Sequence, residues 1–197
     1  MASETPDAEG PAVPNSPPQG HEALEDLTVV GVGASAGGLE ALTELLQRLP
    51  PDSNLAFVVI QHLDPRHQSI LPDLLSRNTG MQVVAVQQDV RIQANHVYVI
   101  SPNTVLRVDD GRLIPEKRPA ESYKPIDSFF DSLAAEFKER AIGVVLSGTA
   151  TDGTFGLKRI KAEGGITFAQ NQTAKLKLSP STPSEGATLW NLPFPSL

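Results

Sequence analysis

Three residues of this 197-residue chain could together make a hydrolytic nucleophile: Ser35 within Gly33-Ala34-Ser35-Ala36-Gly37-Gly38, His62 just past the apolar run Leu55–Ile60, and Asp152 in the polar stretch after Ile142–Leu146. A serine hydroxyl is inert near neutral pH unless an imidazole accepts its proton. A carboxylate then holds the imidazole in the required tautomer and stabilises its protonated form. The string around Ser35 does not assign this chemistry alone. It fits G-x-S-x-G, in which small neighbours permit a sharp strand-to-helix turn that exposes the hydroxyl beside backbone N–H groups. It also fits G-x-G-x-x-A through Gly31, Gly33 and Ala36, in which glycines let a pyrophosphate approach a helix N-terminus. A tight turn without further function would explain the same glycines.

The elements that would position these residues decide between the templates. Thr28–Val32, Leu55–Ile60, Gln82–Val86, Val97–Ile100, Ile142–Leu146 and Ile166–Ala169 read as strands, several of them apolar throughout, as strands covered on both faces must be. Leu39, Leu42, Leu45, Leu46 and Leu49 recur at helical spacing and are stopped by Pro50-Pro51; His67–Asn78, Ile126–Glu139 and Thr154–Ala162 read as further helices. This alternation predicts an α/β protein, a three-layer αβα sandwich with a mainly parallel, doubly wound sheet. Val90–Leu113 reads instead as a small hairpin excursion turning at Asp109-Asp110-Gly111.

In such a fold, ligands bind outside the carboxyl ends of the strands. A dinucleotide site would need Asp or Glu about 20 residues beyond the glycines, at the end of the second strand. Gln61-His62 stands there instead. Ser35, His62 and Asp152 each follow a strand, so the fold would gather them on one edge. Their chain order differs from the Ser, Asp/Glu, His order of α/β-hydrolases, which points to a different fold carrying the same chemistry.

Composition narrows the function classes. The chain has no cysteine, which excludes disulfides, thiolate metal sites and a cysteine nucleophile, and no apolar run approaches the roughly 20 residues of a membrane-spanning helix. Of the net charge of −7, the first 26 residues carry Glu4, Asp7, Glu9, Glu22, Glu25 and Asp26 without a single Lys or Arg. The remainder is close to neutral and gives no electrostatic basis for nucleic-acid binding. We expect a disordered, acidic, Pro-rich leader over 1–26, a folded domain over 27–178 and an irregular Pro-rich tail over 179–197. No secretory or mitochondrial signal is recognisable, so a cytoplasmic location is expected.

Other polar residues invite plainer readings. His62, Asp64 and His67 match no standard zinc spacing, and Asp64-Pro65 reads as a helix-starting turn. His96 opens a strand and is expected to be structural. Arg66 and Arg77 read as surface or helix-end charges, although a position just beyond His62 could touch an acidic partner. Glu136 and Arg140, four apart, read as an exposed helical pair.

Several strings together resemble the CheB-type protein-glutamate methylesterase domain of bacterial chemotaxis: Val29–Gly38, Val58–Leu63, His96–Pro102, Lys124–Ser132, Ile142–Gly156 and Gly164–Gln170. The resemblance implies that Ser35, His62 and Asp152 form a catalytic triad. It implies hydrolysis of methyl esters on glutamates of chemoreceptor cytoplasmic helices, deamidation of glutamine there, and no metal or cofactor. Backbone N–H groups near Ala36 and in the Thr149–Ala150 loop are candidates for the oxyanion hole. The string departs from the family at Ala150, where a glycine is usual, and Lys175–Leu197 matches neither the helix nor the strand that ends family members. With only the acidic leader ahead of the domain, phosphorylation control in cis is not expected. The competing expectation is an esterase-like binding domain, inactive or truncated.

Overall fold

The computed structural model describes residues 26–62, 69–119, 123–146 and 152–170. Two β-branched, apolar runs, Thr28–Ala34 (β1) and Leu55–Gln61 (β2), pair in parallel at the middle of a six-stranded sheet, and their interior positions are buried without alternation. Gln82–Val86 (β3), Val90–Arg91 (β4), His96–Ile100 (β5), Thr104–Asp109 (β6), Arg112–Lys117 (β7), Ala141–Leu146 (β8) and Ile166–Ala169 (β9) follow. The main sheet runs β3-β5-β2-β1-β8-β9 and is parallel throughout. The chain moves outward from β1 through β2 and later returns to the other side of β1 with β8. That reversal puts a topological switch point at the carboxyl end of β1.

Both faces of the sheet are covered. Val30, Val32, Phe57 and Val59 meet Leu42, Leu45 and Leu46 of helix Leu39–Arg48 (α1) and Leu71 and Leu75 of helix Leu71–Ser76 (α2). Val29, Val58 and Ile60 meet Ile126, Phe129, Phe130 and Leu133 of helix Pro125–Phe137 (α3) and Ile160 of helix Thr154–Ala162 (α4). Alternate strand residues thus feed separate cores, as the period of two requires. This is the three-layer, doubly wound arrangement expected from the sequence.

Gly31 and Gly33 face α3. A Cβ at Gly31 would lie 2.8 Å from Phe130 Cε1, and one at Gly33 would lie 2.6 Å from Ile126 Cγ2. The space that the G-x-G-x-x-A template assigns to a pyrophosphate is filled by helix side chains, so these glycines serve close helix-on-sheet packing. Gly156 does the same between helices: a Cβ there would lie 2.5 Å from Phe130 Cβ. Because that neighbour is anchored to the α3 backbone, Gly156→Ala must push α4 away, and we expect a loss of about 1–3 kcal/mol. A lowered urea midpoint at unchanged m-value would show it, and an unchanged midpoint would refute it.

Three local expectations are corrected. The helix expected over His67–Asn78 is confined, among the described residues, to α2, with Pro72 in its first turn, where the missing N–H is harmless. The hairpin expected to close by Leu113 continues to Lys117 and forms a separate antiparallel sheet, β4-β7-β6, with Asp110 (φ 48°) and Gly111 (φ 67°) supplying the left-handed turn. The exposed Glu136–Arg140 helical pair is not made, because α3 ends at Phe137 and Arg140 lies in the 3₁₀ turn Lys138–Arg140. Glu136 Oε1 instead accepts the Gly111 N–H at 3.1 Å, tying the hairpin turn to α3, and Arg140 donates to the Leu27 carbonyl at 3.0 Å.

Candidate active site

The parallel register sets β1, β2 and β8 level at their carboxyl ends: Ala34 lies opposite Gln61 on one side and Leu146 on the other. Ser35 and His62, the next residues on β1 and β2, therefore leave the sheet side by side. Ser35 is extended (φ −94°, ψ 177°), and its carbonyl accepts the Gly38 N–H at 2.8 Å, so a 3₁₀ turn, Ala36–Gly38, begins immediately after it and leads into α1. The first N–H groups of such a turn have no partner within it and point back toward the serine. Ala36 opens that turn.

Asp152 follows β8, the third strand, in the chain and precedes α4, and its side chain is 6% exposed. His62 Nε2 lies 2.8 Å from Asp152 Oδ2, with the imidazole about one-third exposed at the mouth of the site. The carboxylate is further held by the Ile126 N–H on Oδ2 (3.2 Å) and the Asp127 N–H on Oδ1 (2.9 Å). These are free donors in the first turn of α3, whose positive end favours a negative charge. Since an ionised carboxylate only accepts, Nε2 carries the hydrogen and the lone pair of the imidazole sits on Nδ1.

The support is reciprocal. Asp127, itself buried, accepts through Oδ1 from the Gly153 N–H (2.9 Å) and the Gly156 N–H (2.8 Å), the N-terminal donors of α4. Asp152, immediately before α4, caps α3, and Asp127, inside α3, caps α4. Neither helix has a side-chain cap of its own. Gly153 turns the chain at φ +96°, with a prospective Cβ only 2.9 Å from Ile126 Cγ2. Asp127→Ala should cost about 2–3 kcal/mol, because two buried N–H groups lose a charged acceptor. Asp127→Asn, which keeps an acceptor oxygen, should lose clearly less. Equal denaturation midpoints for the two variants would contradict this role.

Tyr123 stands next to His62, ring centroids 6.0 Å apart and tilted by 47°, and its hydroxyl donates to the Thr104 carbonyl at 3.2 Å. Burial raises the Tyr123 hydroxyl above its ordinary pKa; nearby Arg118 opposes this and Asp152 adds to it. The group is a neutral phenol under physiological conditions. Sequence reasoning assigned no role to Asp127 or Tyr123. The one available signal was an acid two residues after Pro125 at a helix start, a position suited to helix-end interactions.

Of the residues singled out from the sequence, Ser35, His62 and Asp152 share the carboxyl edge of the sheet, and His62 and Asp152 are in direct contact. Thr149 and Ala150 lie outside the described residues, as do Asp64, Arg66 and His67, the leader through residue 25, residues 171–178 at the end of the expected domain and the tail over 179–197. His96 sits at the opposite, amino edge, with Nδ1 2.8 Å from the Ala94 carbonyl and its ring stacked on Tyr98. Arg77 directly follows α2.

Comparison with known proteins converges on one family. A profile of the CheB methylesterase family matches residues 30–185. Similar sequences include protein-glutamate methylesterase/protein-glutamine glutaminase 4 of Burkholderia thailandensis, 39% identical over 168 residues, which make up 84% of this chain and 48% of that protein. Another is protein-glutamate methylesterase/protein-glutamine glutaminase 1 of Pseudomonas fluorescens, 35% identical over 150 residues, 75% of this chain and 45% of that protein. The chain spans about half the length of these curated relatives. The crystal structure of the Thermotoga maritima CheB methylesterase catalytic domain superposes with a TM-score of 0.67 at 25% identity, covering 74% of this chain and 80% of that one. With its parallel sheet and paired His62 and Asp152 beside Ser35, the chain belongs to the CheB methylesterase family.

Proposed function

We propose that this chain is a serine hydrolase that removes methyl esters from methylated glutamates of chemoreceptors, and that it deamidates glutamine at such sites. The observation that carries the reading is the 2.8 Å contact between His62 Nε2 and Asp152 Oδ2 at strand ends flanking Ser35. Ser35 Oγ attacks the ester carbonyl carbon while His62 Nδ1 takes the hydroxyl proton. Asp152, bonded to Nε2–H, stabilises the imidazolium that results. The tetrahedral intermediate collapses as the imidazolium returns the proton to the leaving methoxide, releasing methanol. Water, deprotonated by the same nitrogen, then hydrolyses the acyl-serine to free glutamate. With glutamine, ammonia leaves in place of methanol. The Ala36 N–H, at the start of the turn, is the donor we assign to the developing oxyanion, together with the Thr149–Ala150 loop.

The catalytic unit is taken as 27–178, and the substrate-bearing partner as the cytoplasmic helices of chemoreceptors, which places the enzyme in the cytoplasm. The names of the relatives support the substrate class. No helix among the described residues is long and apolar enough to cross a membrane. The test is methanol release by the purified protein from a polypeptide carrying glutamyl γ-methyl esters. Steady turnover is the expected result, and a folded protein that releases none would leave the inactive binding domain as the reading.

A further inference from the structure

Beside His62 stands a cation with an unusual partner. Arg118 Cζ lies 3.8 Å from the centroid of the Tyr123 ring, and that ring lies 6.0 Å from the imidazole. Together these separations keep the guanidinium carbon within about 10 Å of the imidazole, in the range of cation–π contact with the tyrosine. Both residues are anchored from the hairpin: the Arg118 N–H donates to the Asn103 carbonyl at 3.0 Å, and the Tyr123 hydroxyl to the Thr104 carbonyl. Arg107, Arg112 and Arg159 each have a carboxylate at 3.4, 2.7 and 2.8 Å respectively. Arg118 makes no such pair among the described residues, and its fork of donors is left for an external anion. Arg118 is half-buried and its guanidinium is seated on the Tyr123 ring, so little entropy is lost when an anion binds.

We propose that Arg118 is a specificity residue that binds a carboxylate on the substrate polypeptide close to the reacting ester, with Tyr123 as the positioning residue that holds the guanidinium beside His62. The inference rests on the esterase reading above and narrows its substrate class to glutamyl esters with an acidic neighbour. Side chains one turn apart on a helix are separated by about 6 Å, and alternate side chains of a strand by about 7 Å, so either peptide conformation places a nearby carboxylate within reach. The attraction is electrostatic and weakens as added salt screens it.

The test uses two peptides that each carry one glutamyl γ-methyl ester, flanked by glutamates in one and by alanines in the other. The wild-type protein should prefer the acidic peptide in kcat/KM, chiefly through KM. The preference should shrink about fivefold in Arg118→Gln and return only in part in Arg118→Lys, which keeps the charge but not the fork. It should also shrink in Tyr123→Leu but not in Tyr123→Phe, which keeps the ring. Affinities of both peptides for the Ser35→Ala protein and its Arg118→Gln derivative, measured by fluorescence anisotropy, give the same ratio without turnover. A wild-type protein with no acidic preference, or one whose preference survives Arg118→Gln, overturns the proposal. If methanol release is absent throughout, the esterase reading fails, and the anisotropy ratio alone decides the role of Arg118.

Discussion

Ser35→Ala should lower kcat/KM for methanol release by about ten-thousand-fold or more, with the fold intact. The hydroxyl does not cap the turn Ala36–Gly38, and the Ser35 backbone lies in an extended region that alanine adopts equally well. Removing it takes the nucleophile and leaves the imidazole, the carboxylate and the backbone donors in place. Groups that act as one unit are strongly non-additive, so the Ser35→Ala, His62→Ala double variant should be no slower than the worse single variant. Methanol assays with wild-type, single and double variants measure both claims. A Ser35→Ala protein that retains a tenth of the wild-type rate, or losses that multiply in the double variant, would contradict covalent catalysis by this serine.

The second large effect is expected at Asp152. In Asp152→Asn the amide can offer its NH₂ to the imidazole, which then presents the wrong tautomer, with hydrogen on Nδ1 where the base is needed. In a comparable triad the same exchange lowers kcat about ten-thousand-fold, and a loss of that order is expected here with little change in KM. Asparagine is the informative substitution because its carbonyl oxygen can still accept from the Asp127 N–H, now held at 2.9 Å. Asp152→Ala would leave the buried Ile126 and Asp127 donors without acceptors, mixing a stability loss of about 2–3 kcal/mol into the rate effect. Rates for the two variants, taken with their melting temperatures, separate the roles. A stable Asp152→Asn enzyme within tenfold of wild type would show that the 2.8 Å contact to His62 is structural only.

The two effects share an origin that is legible in the amino-acid sequence. β1, β2 and β8 are apolar runs without alternation, which only a strand covered on both faces tolerates, and parallel strands so covered end on a common edge. A polar residue immediately past each run was therefore a candidate for one site. The architecture and the meeting of His62 with Asp152 were legible for that reason. What the glycines do was not: the string from Gly31 to Gly38 shows where side chains are missing, but not that Phe130 and Ile126, almost a hundred residues away, fill the space. The exchange of caps between α3 and α4 was hidden for a related reason. Asp127 reaches Gly153 and Gly156 only because the two helices pack closely at Gly156, a tertiary fact with no local signature. Likewise, the meeting of Tyr123 with His62 and the choice of Nε2 over Nδ1 for the carboxylate are matters of tertiary geometry rather than of residue types.

The chemical heart of the proposal is that the imidazole of His62, oriented by Asp152, makes the Ser35 hydroxyl reactive. Treating the intact protein with a fluorophosphonate and locating the adduct by peptide mass spectrometry probes this without a receptor substrate. Phosphonylation of Ser35 in the wild-type protein, lost in a folded His62→Ala variant, is the expected result. A folded wild-type protein that stays unlabelled, or a His62→Ala variant labelled equally fast, would contradict it.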